Sequence, residues 1–152
     1  MRARFRNRKE LEALLDVSWV PFPVYKEINQ YIARAHFGGD LTSLREVGAF
    51  SADRGLQSIY KIWVRGKAFL DFLRQVTEYY KTMYSAGELA VSVGEDQTSA
   101  TLSFRKAPQY SQAELHTAKG FFVGSAKFMG LPGITHEATL LPKGMGIKLR
   151  WR

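Results

Sequence analysis

The stretch GELAVSVGEDQTSATLSFR, Gly87 to Arg105, sets the fold. Leu89, Val91 and Val93 alternate with Ala90 and Ser92, and Ala100, Leu102 and Phe104 alternate with Thr101, Ser103 and Arg105. Successive strand residues point to opposite faces, so a period of two marks a strand with one apolar side. Gly94-Glu95-Asp96 supplies a turn between the two runs, and the whole reads as a β-hairpin. Pro108 closes it. Ser111 with Glu114 three residues on is a capping box, opening a helix over about residues 112–130. That helix carries Gly120 and Gly124 near Ala113, Thr117 and Ala126, small residues that let it lie close against a sheet or another helix. A second hairpin follows, with His136, Ala138 and Leu140 in one strand, Pro142-Lys143-Gly144 at the turn, and Ile147, Leu149 and Trp151 in the last strand.

Upstream of Gly87 the period is helical. Phe69, Phe72, Leu73, Val76, Tyr80 and Met83 form one stripe over about residues 67–85, the pattern of a helix with one face in the core. A further helix spans about residues 41–64, N-capped by Asp40 after the Gly38-Gly39 break. Gly48 and Gly55 lie within it, each costing about 1 kcal/mol relative to alanine in a helix interior. Close approach of another helix, or of a ligand, compensates such a cost. Pro23 opens a helix over about residues 23–36, with Tyr25, Ile28, Ile32 and Ala35 along one stripe. Trp19 and Phe22 anchor the proline corner SWVPFP, and Leu11, Leu14 and Leu15 mark a short amphipathic helix before it. The expected fold is α+β: about four N-terminal helices followed by ββ-α-ββ, with one four-stranded, mostly antiparallel sheet covered by helices on one face. Residues 1–9 form a basic arm and residues 10–152 a single domain.

The chain has 152 residues, 45% hydrophobic and 13% aromatic, which suits one packed domain and argues against intrinsic disorder. It has no cysteine, which excludes disulfides, thiolate metal sites, iron–sulfur clusters and cysteine nucleophiles. Its 22 Lys and Arg against 14 Asp and Glu give a net charge of +8, unevenly placed. Arg2, Arg4, Arg6, Arg8 and Lys9 contribute +5, and the remaining 143 residues only +3. Such an arm either tracks phosphates of nucleic acid or anionic lipid, or is a solvated extension. The charged run ELEALLD stands where a signal peptide would have its apolar region, and no segment approaches the roughly 20 apolar residues of a membrane span. Cytoplasmic placement follows as the expectation.

Strand alternation also specifies the far face of the sheet. Lys148, Arg150 and Arg152 point opposite to Ile147, Leu149 and Trp151, and Ser92, Thr101, Ser103, Arg105, Glu137 and Thr139 share their side. This face is polar, mildly basic and without aromatic platforms for stacking bases. It is either solvated or a dimer or partner surface, used through the sheet or its terminal edge strand. His36, His116 and His136 are too scattered for metal ligation, and there is neither a phosphate-binding glycine loop nor a nucleophile elbow. No metal, cofactor or catalytic set is expected.

The segments L-R-E-V-G (Leu44 to Gly48), A-G-E-L (Ala86 to Leu89), G-F-F-V-G-S-A-K-F-M-G (Gly120 to Gly130) and I-K-L-R-W (Ile147 to Trp151), in this order of elements, resemble a superfamily of ligand-binding domains. It is shared by haem nitric-oxide sensors, vinyl-reductase-associated domains and vesicle-tethering TRAPP subunits, and the chain looks most like a myxobacterial paralogue family of that architecture. The resemblance runs from about residue 22 onward. It implies a helical layer that either encloses an apolar ligand against the sheet or serves as a dimerising module. The haem sensors hold their propionates with a Tyr-x-Ser-x-Arg string and their iron with a helical His. Here the corresponding string is Thr101-Leu102-Ser103-Phe104-Arg105, and the helix before the first hairpin has no His.

The sequence points first to a non-enzymatic regulatory or scaffolding module that self-associates or binds a protein partner. The alternatives are a sensor of a small apolar ligand, bound by Gly48, Gly55, Tyr60, Trp63, Tyr80 and Phe121, and binding of nucleic acid or an anionic surface through Arg2, Arg4, Arg6, Arg8 and Lys9. Lys148, Arg150 and Arg152 are candidate partner or anion contacts.

Overall fold

The computed structural model describes residues 21–152 except 59, 60, 65, 86, 107–109 and 132, and of Trp63 the backbone alone. Trp19, the helix expected before it and the basic arm therefore lie outside the described residues. The elements run in the order α1 (Phe22–His36), a 3₁₀ turn (Leu41–Ser43), α2 (Leu44–Gln57), a short α3 (Lys61–Val64), α4 (Phe69–Met83), β1 (Glu88–Val93), β2 (Ser99–Arg105), α5 (Gln112–Phe128), β3 (Thr135–Leu141) and β4 (Gly144–Arg150). This is the expected α+β architecture of helices followed by ββ-α-ββ. The four strands form one sheet in the order β1-β2-β4-β3, with every neighbouring pair antiparallel.

The register places Leu89, Phe104, Met145 and Leu140 in one cross-sheet row and Val91, Leu102, Ile147 and Ala138 in the next. These rows face the helices. Leu102, Phe104, Met145, Ile147 and Leu149 are buried there against Phe69, Phe72, Leu73, Val76 and Tyr80 of α4. Trp151 closes the layer edge-on to Phe69, with ring centroids 5.5 Å apart. The intervening rows, Ser92-Thr101-Lys148-Glu137 and Ala90-Ser103-Gly146-Thr139, form the polar outer face.

Three expectations are corrected. The last strand is not an edge: β4 lies between β2 and β3, and the edges of the sheet are β1 and β3. Two hairpins in sequence can join through either strand of the second, and the alternation alone does not say which. The helix expected over residues 41–64 is divided. Asp40 caps as expected, its carboxylate accepting from Thr42 N–H at 2.9 Å, but the turn it opens is 3₁₀. At the other end Ser58 leaves helical geometry (φ −122°, ψ −97°) while its hydroxyl donates to the Arg54 carbonyl at 2.6 Å, ending α2 at Gln57. In α1, Ala35 is exposed, while Val24, Asn29 and Ala33 are the buried residues.

The most extensive helix–helix contact is α2 on α5, and it is made by glycines. A Cβ on Gly48 would overlap the Thr117 carbonyl, and one on Gly120 would overlap the Arg45 carbonyl. One on Gly124 would stand 2.8 Å from Ala49 Cα. Backbone meets backbone along this crossing, and the helical cost of Gly48 and Gly120 is offset by it. Among the described residues no helix is long and apolar enough to cross a membrane.

Candidate functional site

A cavity of about 410 Å³ lies between the helices and the sheet. This is within the range of small-molecule sites. Every layer contributes to it. Tyr25, Ile28, Asn29 and Ile32 come from α1, and Val47, Gly48 and Ser51 from α2. Val76, Tyr80 and Met83 come from α4, Glu114, Thr117, Phe121 and Phe122 from α5, and Leu89, Phe104 and Met145 from the sheet floor. The tight α2–α5 crossing holds two of its walls together, because the glycine that permits the crossing, Gly48, also lines the cavity.

An aromatic corner forms one end. Tyr110 sits edge-on to Phe22 and to Phe104, at centroid distances of 5.6 and 6.1 Å, and Tyr80 edge-on to Phe104 at 5.8 Å. The Tyr80 and Tyr110 hydroxyls are 2.9 Å apart and share one hydrogen bond. Burial pushes the Tyr110 phenol far above its ordinary range, and its bond to Tyr80 pushes it further the same way. Burial also raises Tyr25 and Tyr80. These phenols stay protonated and act as neutral hydrogen-bonding groups.

Polar groups stand beside this corner, with Tyr25 close to both Asn29 and Glu114. Glu114 is 1% exposed and Asn29 2%. One Glu114 carboxyl oxygen, Oε2, accepts from the Ser111 N–H at 2.8 Å and from the Ser111 hydroxyl at 2.5 Å, the capping box that starts α5. Its other oxygen, Oε1, is buried and has no hydrogen-bond partner among the described residues. Asn29 Oδ1 stands 3.4 Å from the Thr117 hydroxyl, whose own donor already serves the Ala113 carbonyl at 2.9 Å. Asn29 Nδ2 is buried close to the Tyr25 phenol and has no hydrogen bond of ordinary length and angle among the described residues.

Of the six residues named from sequence as a ligand set, Gly48, Tyr80 and Phe121 line this cavity. Gly55 does not: it stands near the C-terminal end of α2, half-buried and outside the lining. Tyr60 and the Trp63 side chain lie outside the described residues, as do Arg2, Arg4, Arg6, Arg8 and Lys9. Lys148, Arg150 and Arg152 are exposed, with Lys148 and Arg150 on the outer sheet face, where Lys148 pairs in register with Thr101 and Glu137. Sequence reasoning took Glu114 for a cap only and passed over Asn29. The signal for Asn29 was present: it is the one amide inside the stripe Tyr25, Ile28, Ile32.

Fold and cavity together define an α+β domain in which helices enclose an apolar chamber against one antiparallel sheet. Solved structures that align with this chain include H-NOX domains. An H-NOX protein from S. oneidensis in the Fe(II)NO ligation state aligns over 92% of this chain and 81% of its own, with a TM-score of 0.71 and 8% identity. A mutant of the T. tengcongensis H-NOX aligns over 92% and 79%, with a TM-score of 0.68 and 13% identity. An oxygen-binding H-NOX domain related to soluble guanylate cyclases, solved as its oxygen complex, aligns over 92% and 77%, with a TM-score of 0.67 and 12% identity. At these identities the likeness is one of fold. No protein-family model and no curated protein matches the chain.

Haem can be tested against the residues themselves. Among the described residues no histidine, lysine or arginine lines the cavity. Thr101, Ser103 and Arg105 alternate with the buried Leu102 and Phe104, so they face the outer side of the sheet, away from the chamber. The described residues of the lining offer haem neither a histidine for its iron nor a cation for its propionates. They do not fit it.

Proposed function

We infer that this chain is a non-enzymatic regulatory module that senses a small, largely apolar molecule other than haem, held between the helices and the sheet. The observation that carries this reading is the cavity: about 410 Å³ inside the fold, walled by aromatic and aliphatic side chains from every layer. The likeness in fold supports it, since one of the aligned structures is an oxygen-binding H-NOX domain and another is in its Fe(II)NO ligation state. A ligand here would touch α1, α2, α4, α5 and the sheet at once. Filling the chamber would favour one arrangement of these elements over another, which is how a binding event becomes a signal.

A cytoplasmic setting, pairing with a second copy or a protein partner along an edge strand, and kinship with the myxobacterial paralogue family belong to the same proposal. So does an electrostatic contribution from residues 1–9 and the exposed Lys148, Arg150 and Arg152. Native mass spectrometry of the full chain, purified without denaturant, tests the central reading. An added mass of a few hundred daltons, lost on mild activation, is the expected result, as is a rise in melting temperature with apolar compounds. A bare polypeptide mass together with no thermal response to any apolar compound overturns it. A stoichiometric haem complex with a sharp Soret band overturns the exclusion of haem.

A further inference from the structure

We propose that the ligand carries a polar head with an N–H or O–H donor, and that Glu114 Oε1 receives it, with the Asn29 amide as the second contact. This rests on the reading that the cavity takes a small molecule and names the chemistry of its recognition. Both side chains line the chamber, and both are nearly fully buried. A buried polar atom without a partner is costly, so native structures satisfy such atoms or use them. Glu114 makes the case sharply. Its Oε2 is occupied by two donors from Ser111, which fixes the carboxyl group in place, and Oε1, buried in the same lining side chain, has nothing to accept from among the described residues.

Asn29 adds a second, adaptable contact. Its amide meets the Thr117 hydroxyl at one end and leaves the other end open. Because an amide can be turned about its last bond, the open end serves as donor or acceptor. Apart from the hydroxyls of Ser51, Thr117 and the tyrosines, the rest of the described lining is apolar, and Glu114 is its one ionisable carboxyl group. The ligand class is therefore an apolar body with one donor-bearing head: a carboxamide, an alcohol or an amine. A carboxylate head is disfavoured, because it brings an acceptor to an acceptor.

A matched series of probes tests this on the intact chain: 2-naphthamide, 2-acetylnaphthalene, 2-naphthoate and 2-methylnaphthalene, titrated by calorimetry or by quenching of tyrosine and tryptophan emission. The amide and the methyl ketone differ only by NH₂ against CH₃. The expected result is that the amide binds at least about ten-fold more tightly than the ketone, with the carboxylate weakest. In E114Q the glutamine keeps its carbonyl on Ser111, as a capping box allows, and turns an NH₂ into the chamber. The ten-fold preference should fall to near one, and the carboxylate should gain. A melting curve verifies that the variant is folded. Equal affinities for amide and ketone in the unmodified protein overturn the proposal while leaving the cavity reading intact, as does a preference that a folded E114Q leaves unchanged. If none of the four binds, 2-methylnaphthalene included, the proposal falls, and the mass and thermal measurements above decide the cavity reading.

Discussion

Replacing Gly48 by alanine sets two physical effects of opposite sign against each other. Alanine is the better helix former by about 1 kcal/mol, so propensity alone makes Gly48→Ala stabilising. The structure reverses the sign. The new Cβ would overlap the Thr117 carbonyl, stand 2.7 Å from Phe121 N and 2.9 Å from Thr117 C, all backbone atoms of α5. Backbone cannot rotate aside as a side-chain tip can, so α2 and α5 must separate. Overpacking of this kind costs about 2–3 kcal/mol, which leaves a net loss of about 1–2 kcal/mol. In a domain of this size that lowers the melting temperature by about 2–8 °C. Gly120→Ala meets the Arg45 backbone in the same way and should behave alike, whereas Gly124→Ala, facing Ala49 at 2.8 Å and beyond, should cost less. Urea denaturation with an unchanged slope is the assay. A Gly48→Ala protein more stable than its parent would refute the claim that this crossing depends on backbone contact.

Other outcomes are equally definite. Phe104→Ala removes the ring that faces Tyr80, Tyr110 and Phe122, and should cost about 3–5 kcal/mol in the same denaturation assay. Tyr25, Tyr80 and Tyr110 are raised in the folded protein, so the stability they contribute is complete below the ordinary tyrosine range and drains away as pH climbs above about 10. Their ionisation, followed by absorbance near 295 nm, should then coincide with loss of circular dichroism; early ionisation of all the tyrosines in a still-folded protein would contradict this. His116 and His136 are lowered, first by burial and then by Lys119. The folded form therefore favours neutral imidazoles and loses that contribution as pH falls below about 6.5. In Lys119→Met both histidines should titrate at higher pH by NMR, and unmoved midpoints would remove Lys119 as a cause.

The fold was legible because its periods are clean. Leu89 to Phe104 can only be a one-sided hairpin, and Phe69 to Met83 only a helix with a single buried stripe. Position within the sheet was not legible. The alternation of Ile147, Leu149 and Trp151 is the same for an edge strand as for a central one, and what selects β4 as the partner of β2 is packing across the whole helical layer. The division of the helix after Gln57 was hidden for a related reason, since a serine hydroxyl turned onto the Arg54 carbonyl leaves no mark on the hydrophobic pattern. The cavity was partly visible. Gly48, Tyr80 and Phe121 stand out as a glycine in a helix and as large aromatics. Glu114 does not, because a glutamate at the third helical position is an ordinary surface residue until the fold buries it, and Asn29 is marked only by its place as an amide beside an apolar helical stripe.

The strand order also bears on how the molecule assembles in time. The β1–β2 and β3–β4 pairs are each closed by a short turn, so they can zip locally. The seam between them, from Ser99 opposite Arg150 to Arg105 opposite Gly144, joins segments separated by the whole of α5 and β3. Closing it spends chain entropy that neither hairpin recovers alone. The β2–β4 seam is therefore expected to form last in the sheet, and the slowest-exchanging amides of the sheet should be found on either side of it.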